Sequence, residues 1–133
     1  MMAKYKNDKA NIDGYKFDSK VEAKYYEKLK EDKAKGLILN FELQPHFNLQ
    51  PKYRFNGKNI RAIEYVADFM VYELNGTETV IDIKGFATAE ALLKRKLFQY
   101  AYPRKELSWL VWYGGEWINY DENKKGIAKR KKE

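Results

Sequence analysis

The sequence predicts a single mixed α/β domain, in which a mixed β-sheet is flanked by helices in the order α-β-β-β-α-β with one further strand at the C-terminal end. Two segments carry the caps and stop signals of helices. Apolar runs rich in β-branched and aromatic residues lie between and after them, as strands do. Hydrophobic residues make up 44% of the 133 residues, enough for one core. We expect one domain over residues 1–133, with a flexible arm at 1–14 and a flexible basic tail at 124–133.

The composition indicates an anionic partner and excludes several kinds of site. Lysine and arginine number 26 against 19 acidic residues, and the resulting charge of +7 makes nucleic acid the first partner to consider. The chain has no cysteine and one histidine, which rules out disulfides, thiolate sites and histidine-built zinc sites and leaves carboxylates as metal ligands. No apolar run approaches the ~18 residues of a membrane span and no signal peptide is recognisable, so we expect a cytoplasmic protein without a membrane partner.

The first helix is predicted to begin after Ser19 and to end before Gly36. Ser19 and Glu22 have the spacing of a capping box, in which Glu22 reaches back to the Ser19 amide. Glu22 also shares a helix face with Tyr26 and Leu29, so it points toward the packed side, where its carboxylate could reach a metal at the sheet. The sequence leaves both accounts of Glu22 open.

Two strand-like runs follow, Leu37 to Leu43 and Pro45 to Leu49, and we expect a bend or an edge position at Pro45 because proline removes a ladder donor. Residues 50–61 have the composition of a loop or hairpin extension. Basic residues there interleave with aromatic ones, which suits nucleic-acid contact, although exposed hairpins often have this composition. The predicted DNA-binding side chains of this segment are Lys52, Arg54, Lys58 and Arg61.

The next two strands, 63–71 and 80–84, are predicted to form a hairpin whose register decides the position of two acids. A two-residue Asn75-Gly76 loop would put Asp68 on the wrong face of the sheet. A three-residue loop over 74–76 sets Asp68 opposite Asp82, and it also sets Phe69 opposite Ile81 and Ala67 opposite Ile83. The apolar match favours this register, because a one-residue slip moves every side chain to the other face. We therefore predict that Asp68 and Asp82 are cross-strand neighbours.

A second helix is predicted from about Ala89 to Tyr100, with Thr88 as its cap and Pro103 beyond its end. Three consecutive basic residues on it point in several directions, and one of them should face the strand that carries Lys84. Lys94 and Arg95 are predicted DNA contacts, and Lys96 is a candidate accessory residue of the site. An aromatic strand over 109–113 and a Gly-Gly turn then lead into a last strand over 116–120.

The chemistry is concentrated in Val80-Ile81-Asp82-Ile83-Lys84-Gly85. Asp82 and Lys84 share one face of a strand and could, taken alone, be no more than an ion pair. With Asp68 beside them, two carboxylates and water offer the oxygen ligands that Mg²⁺ accepts. Phosphodiester hydrolysis needs both charge neutralisation and an activated water, so this grouping indicates a metal-dependent nuclease.

The same residues resemble the PD-(D/E)XK nuclease superfamily, which has the restriction-endonuclease-like fold. The matching segments are Ser19-Lys20-Val21-Glu22, Tyr65-Val66-Ala67-Asp68-Phe69 and Val80-Ile81-Asp82-Ile83-Lys84-Gly85. In size and in these segments the chain is similar to small phage and prophage endonucleases, including relatives of phage Holliday-junction resolvases. One departure is Ala67, where the motif that names the superfamily has proline.

The resemblance implies a Mg²⁺-dependent endodeoxyribonuclease that acts on branched DNA, with Mn²⁺ as a substitute metal, in the host cytoplasm if the chain is phage-encoded. Asp68 and Asp82 would bind the metal, Glu22 would join its shell, and Lys84 would orient the attacking water. Gln44 is similar to a polar residue that some members place near the site. A homodimer is expected by analogy, because cutting a four-way junction takes two active sites. The alternative is a non-catalytic DNA-binding accessory protein in which the acids are structural.

Overall fold

The structure, a computed structural model, describes residues 9–123, so the predicted flexible tail at 124–133 lies outside the described residues. The elements follow one another as β1 (Ala10–Ile12), β2 (Tyr15–Phe17), α1 (Lys20–Ala34), β3 (Ile38–Leu43), β4 (His46–Gln50), β5 (Tyr53–Phe55), β6 (Lys58–Ile60), β7 (Ile63–Val66), β8 (Phe69–Glu73), β9 (Glu78–Ile83), α2 (Ala89–Ala101), β10 (Glu106–Tyr113) and β11 (Glu116–Asn119). The predicted mixed α/β class is confirmed, with two helices and a mixed sheet.

The central sheet has five strands in the order β11-β10-β9-β8-β3. Strands β9 and β10 are parallel, and the other neighbours are antiparallel. Side chains of β8 and β9 alternate between two cores, as the pleat requires. The core on the α1 side includes Tyr25, Leu29, Phe69 and Ile81. The core on the α2 side includes Met70, Val80 and Phe98, so the sheet lies between the two helices.

The register predicted for the central hairpin is confirmed. Phe69 pairs with Ile81, and the ladder continues to the pair of Tyr72 and Glu78. The loop has three residues, because the Glu73 amide donates to the Thr77 carbonyl at 2.9 Å. Gly76 closes this loop with a φ of 91°, a left-handed conformation that favours glycine.

Local signals in the sequence set the ends of both helices. The Ser19 hydroxyl accepts a hydrogen bond from the Glu22 amide at 3.1 Å, and Thr88 accepts one from Ala91 at 3.1 Å. At the end of α1, Gly36 has a φ of 75° and the Leu37 amide donates to the Asp32 carbonyl at 2.8 Å. This pattern is a Schellman motif, so glycine ends α1 where the sequence predicts.

One predicted strand is divided in two. The expected strand over 63–71 is broken between β7 and β8, and Ala67 does not pair with Ile83. A second break lies opposite, at Gln44 and Pro45. The Gln44 backbone N–H donates to the Asp68 carbonyl at 2.9 Å, and the Ala67 backbone N–H donates to the Pro45 carbonyl at 3.1 Å. The β4–β7 ribbon therefore leaves the central sheet here, and Asp68 lies at the point of divergence.

The N-terminal segment differs from the expected flexible arm over its described part. Strands β1 and β2 form an antiparallel hairpin in which Ala10 pairs with Phe17. The hairpin is held because Phe17 is buried and packs with Tyr26 of α1, their ring centroids 5.0 Å apart. Within residues 9–123, neither helix has the length and apolar character needed to cross a membrane.

Candidate functional site

Each of the two predicted carboxylates accepts a hydrogen bond from a backbone amide of the other strand segment. The Asp68 amide donates to Asp82 Oδ1 at 2.8 Å, and the Ile83 amide donates to Asp68 Oδ2 at 2.8 Å. Asp82 is buried in β9, whereas Asp68 is partly exposed just before β8. These two hydrogen bonds hold both side chains at one position of the sheet, where the ladder between β8 and β9 ends.

A buried tyrosine and tryptophan, which the sequence did not single out, hold Asp82 from the other side. The Tyr65 hydroxyl donates a hydrogen bond to Asp82 Oδ2, and it accepts one from Trp109 Nε1 at 2.7 Å. Trp109 pairs with Asp82 across the parallel β9–β10 ladder. The sequence signal for Tyr65 was its place in an apolar row, which gave no indication that its hydroxyl meets a carboxylate.

Lys84 lies beside the carboxylate pair on the same strand face as Asp82. Its Nζ is 3.9 Å from Asp82 Oδ2 and 4.9 Å from the centre of the Trp109 ring. The ring face and the carboxylate both attract the ammonium group. On α2, Arg95 lies 4.1 Å from the Trp109 ring centre, and Asp121 binds its guanidinium at 2.8 and 3.2 Å.

The carboxylate pair lies between two clefts. One, of about 370 Å³, is lined by Glu22, Gln44 and Asp68 together with the β1–β2 hairpin. The other, of about 310 Å³, is lined by Asp82, Lys84 and Lys94. The candidate site is therefore open on both sides of the sheet, with Glu22 on one side and Lys84 on the other.

The carboxyl groups are crowded, and their pKa values reflect it. Burial, followed by the charges of Asp82 and Glu22, raises the pKa of Asp68 to about 8. Burial, followed by the charges of Asp18 and Asp82, raises the pKa of Glu22 to about 7, although a hydrogen bond with Asp68 opposes the rise. Burial also raises the pKa of Asp82, while the Tyr65 hydroxyl and Lys84 lower it. The neighbouring positive charges and hydrogen-bond donors of the protein therefore do not fully offset the cost of ionising these three carboxyl groups.

The donors present have the chemistry of a Mg²⁺ site, although they do not form a closed cage. Among residues 9–123, no three His, Asp or Glu side chains are gathered as a set that could hold a metal ion by themselves. Glu22 lines one cleft with Asp68, and Asp82 lines the other. Mg²⁺ usually keeps several waters and takes one or two carboxylates, and the pair of Asp68 and Asp82 meets that requirement.

The predicted basic contacts fall in different places. Lys94 lines the Lys84 cleft, whereas the candidate accessory residue Lys96 is exposed on α2 and does not line it. The accessory role of Lys96 stays a prediction, and of the three consecutive basic residues it is Lys94 that lines the cleft. Arg95 packs on Trp109 and is paired with Asp121, so its role is at least partly structural. The remaining four, all exposed, are on or beside the β5–β6 hairpin: Lys52, Arg54, Lys58 and Arg61.

Comparison with known proteins gives the family of the chain and one weakly similar solved structure. No curated protein matches the sequence significantly. A solved structure described as the crystal structure of SSO0001 aligns with a TM-score of 0.44 and 15% identity, over 75% of this chain and 49% of that one. This chain thus spans about half the length of that protein. A family model described as a protein of unknown function matches residues 2–114. The chain therefore belongs to the DUF1064 family.

Proposed function

We propose that this chain is a metal-dependent DNA endonuclease of the PD-(D/E)XK superfamily that hydrolyses phosphodiester bonds. The observation that carries the proposal is the contact between Asp68 and Asp82, with Lys84 on the same strand face as Asp82. Burying two carboxylates side by side raises their pKa values and costs stability, so a structural role alone accounts poorly for them. Binding a cation to the pair would offset that cost.

Asp68 and Asp82 would hold Mg²⁺, or Mn²⁺ in its place, and Glu22 would join the shell from the neighbouring cleft. The bound ion would supply charge neutralisation at the scissile phosphate and a water of lowered pKa. Within the protein, Lys84 steadies the nucleophile and the negative charge that develops on the phosphate. Tyr65 and Trp109 fix the carboxylate of Asp82 in place, and Lys94 adds positive charge to the cleft that Lys84 lines.

The finer parts of the proposal rest on the resemblance of the sequence to small phage and prophage endonucleases of the PD-(D/E)XK superfamily. They are a preference for branched DNA such as a four-way junction, a phage or prophage origin with action in the host cytoplasm, and a homodimer that brings two active sites to one junction. Exposed leucines on α2 offer a surface on which a second copy could pack: Leu92, Leu93 and Leu97.

The decisive experiment is a cleavage assay with Mg²⁺ or Mn²⁺, using supercoiled, nicked, flap and four-way DNA and an EDTA control. We expect Asp82→Asn and Lys84→Ala to lower the cleavage rate by about a hundredfold or more while leaving DNA binding nearly unchanged. Asp32→Asn and Lys28→Ala are matched controls, because that ion pair, 2.7 Å apart near the C-terminal end of α1, lines neither cleft, and they should cleave like the wild type.

Calorimetric titration with Mg²⁺ provides a readout that does not depend on activity. The wild type should bind the ion, and Asp82→Asn should bind it at least tenfold more weakly. Cleavage by Asp82→Asn at the wild-type rate would refute the assignment of the site. DNA binding without cleavage of any substrate, with either metal, would favour the alternative of a non-catalytic DNA-binding accessory protein.

A further inference from the structure

The β5–β6 hairpin is a separate two-stranded sheet that contributes no residue to the carboxylate site. Its turn, Asn56-Gly57, has φ values of 49° and 75°, the left-handed pair that a two-residue hairpin requires. The Arg54 guanidinium braces the turn, donating to Asn59 Oδ1 and to the Gly57 carbonyl, each at 2.9 Å. Within the described residues, the two strands pair only with each other. The register of the hairpin and the conformation of its turn are therefore fixed, and they determine which side chains share a face.

One face of this hairpin is aromatic and open. Tyr53 and Phe55 are two residues apart on β5, so they share a face, and they are 49% and 62% exposed. Arg54 and Asn59 occupy the opposite face, where they bond to each other. Two large rings left in water on a small hairpin contribute little to its stability, so their placement indicates a partner that covers them.

Charge identifies the class of that partner. Residues 50–62 carry no acidic side chain, and their basic side chains are Lys52, Arg54, Lys58 and Arg61. A cavity of about 470 Å³ beside the hairpin is lined by three of these cations together with Tyr53 and Ile60. Cations around exposed rings fit a chain of phosphates and bases, with the phosphates on the cations and the bases on the rings.

The spacing of the rings distinguishes single-stranded from double-stranded DNA. Residues i and i+2 of a strand are about 6.6 Å apart, roughly twice the 3.4 Å between stacked bases in one strand of a duplex. Bases in a duplex are also covered by their neighbours on both sides. Each ring therefore suits a base that has left the stack, as in a flap, a gap or a branch.

We propose that Tyr53 and Phe55 form a stacking platform for unpaired bases, so that the DNA bound by this chain has a single-stranded segment near the cleaved bond. This inference rests on the proposed endonuclease function for its link to cleavage. Ile60, which pairs with Tyr53, is eight residues from Asp68, so it lies within about 29 Å of the carboxylates. The unpaired bases would then lie within roughly eight nucleotides of the cut.

The test is fluorescence anisotropy in EDTA, where no cleavage occurs, with the full chain and three labelled probes. The probes are a 20-nucleotide oligothymidylate, a 20-base-pair duplex and the same duplex with an oligothymidylate flap. We expect the double variant Tyr53→Ala, Phe55→Ala to weaken binding of the oligothymidylate and flap probes at least tenfold, and binding of the duplex less than twofold. Exchanging the rings, Tyr53→Phe with Phe55→Tyr, should preserve all three affinities.

Two controls separate stacking from charge and from general loss of surface. Lys58→Gln should weaken binding of all three probes by a similar factor and reduce the salt dependence of their binding. Tyr100→Ala removes a ring that is 86% exposed on α2 and should change none of the affinities. If the double alanine variant binds the oligothymidylate as tightly as the wild type does, or if it loses the same factor of affinity for all three probes, the inference is overturned. Ring-dependent binding in a protein that cleaves nothing would refute only the endonuclease proposal, and cleavage without ring dependence would refute only the platform.

Discussion

Replacing Tyr65 by phenylalanine tests the support of the carboxylate pair by removing one oxygen atom. That hydroxyl donates to Asp82 Oδ2 and accepts from Trp109 Nε1 at 2.7 Å, and both partners are buried. A hydrogen bond to a charged group contributes about 1.5–3 kcal/mol, and a buried donor left without an acceptor costs about 1–3 kcal/mol. We therefore expect Tyr65→Phe to lower the free energy of unfolding by about 3 kcal/mol.

The assay is urea unfolding of the metal-free protein, with thermal unfolding beside it. With an m-value of about 2 kcal/mol/M, the midpoint should fall by about 1.5 M urea. The Tm should fall by roughly 10 °C in a chain of this length. The ring itself should stay packed against Phe98, whose centroid is 5.1 Å away, so the variant should still fold cooperatively.

Tyr120→Phe is the matched control. Tyr120 is also buried and packs edge-on against Trp109, and within residues 9–123 its hydroxyl accepts a hydrogen bond from the Ala87 amide at 3.2 Å and bonds to no charged group. Losing this neutral bond should cost about 1 kcal/mol. If Tyr65→Phe is no more destabilising than Tyr120→Phe, the reasoning about the Asp82 network is wrong.

Three further predictions concern charge, the turn and assembly. Because the pKa is about 8 for Asp68 and about 7 for Glu22, the stability tied to these groups is complete below about pH 4 and is lost as the pH rises through 7 and 8. The Tm of the wild type in EDTA should therefore fall from pH 5 to pH 8, and that of Asp68→Asn should fall less; equal slopes would contradict the crowding. Gly76→Ala should cost about 1 kcal/mol in urea unfolding because φ is 91°, whereas Gly85→Ala, without positive φ and with open space for a Cβ, should cost little. If the proposed homodimer uses α2, Leu93→Glu with Leu97→Glu should halve the mass measured by light scattering, and an unchanged dimer would exclude this face.

The sequence by itself determined the local elements and one long-range relation. Helix caps at Ser19 and Thr88 and the stop at Gly36 are short-range patterns whose physics lies within a few residues. The contact between Asp68 and Asp82 was also predictable, because a three-residue loop and the alternation of apolar side chains together leave one acceptable register.

Only the tertiary structure decided which side chains surround the two carboxylates. The break between β7 and β8 faces the break at Pro45, which lies between β3 and β4, more than twenty residues earlier in the chain. The contacts of Tyr65 and Trp109 with Asp82 join three different strands, and no periodicity within one strand encodes them. The same packing separates Glu22 from Lys84 into two clefts. Spacing along the chain fixes which face a side chain occupies, but its neighbours on that face come from elements that only folding brings together.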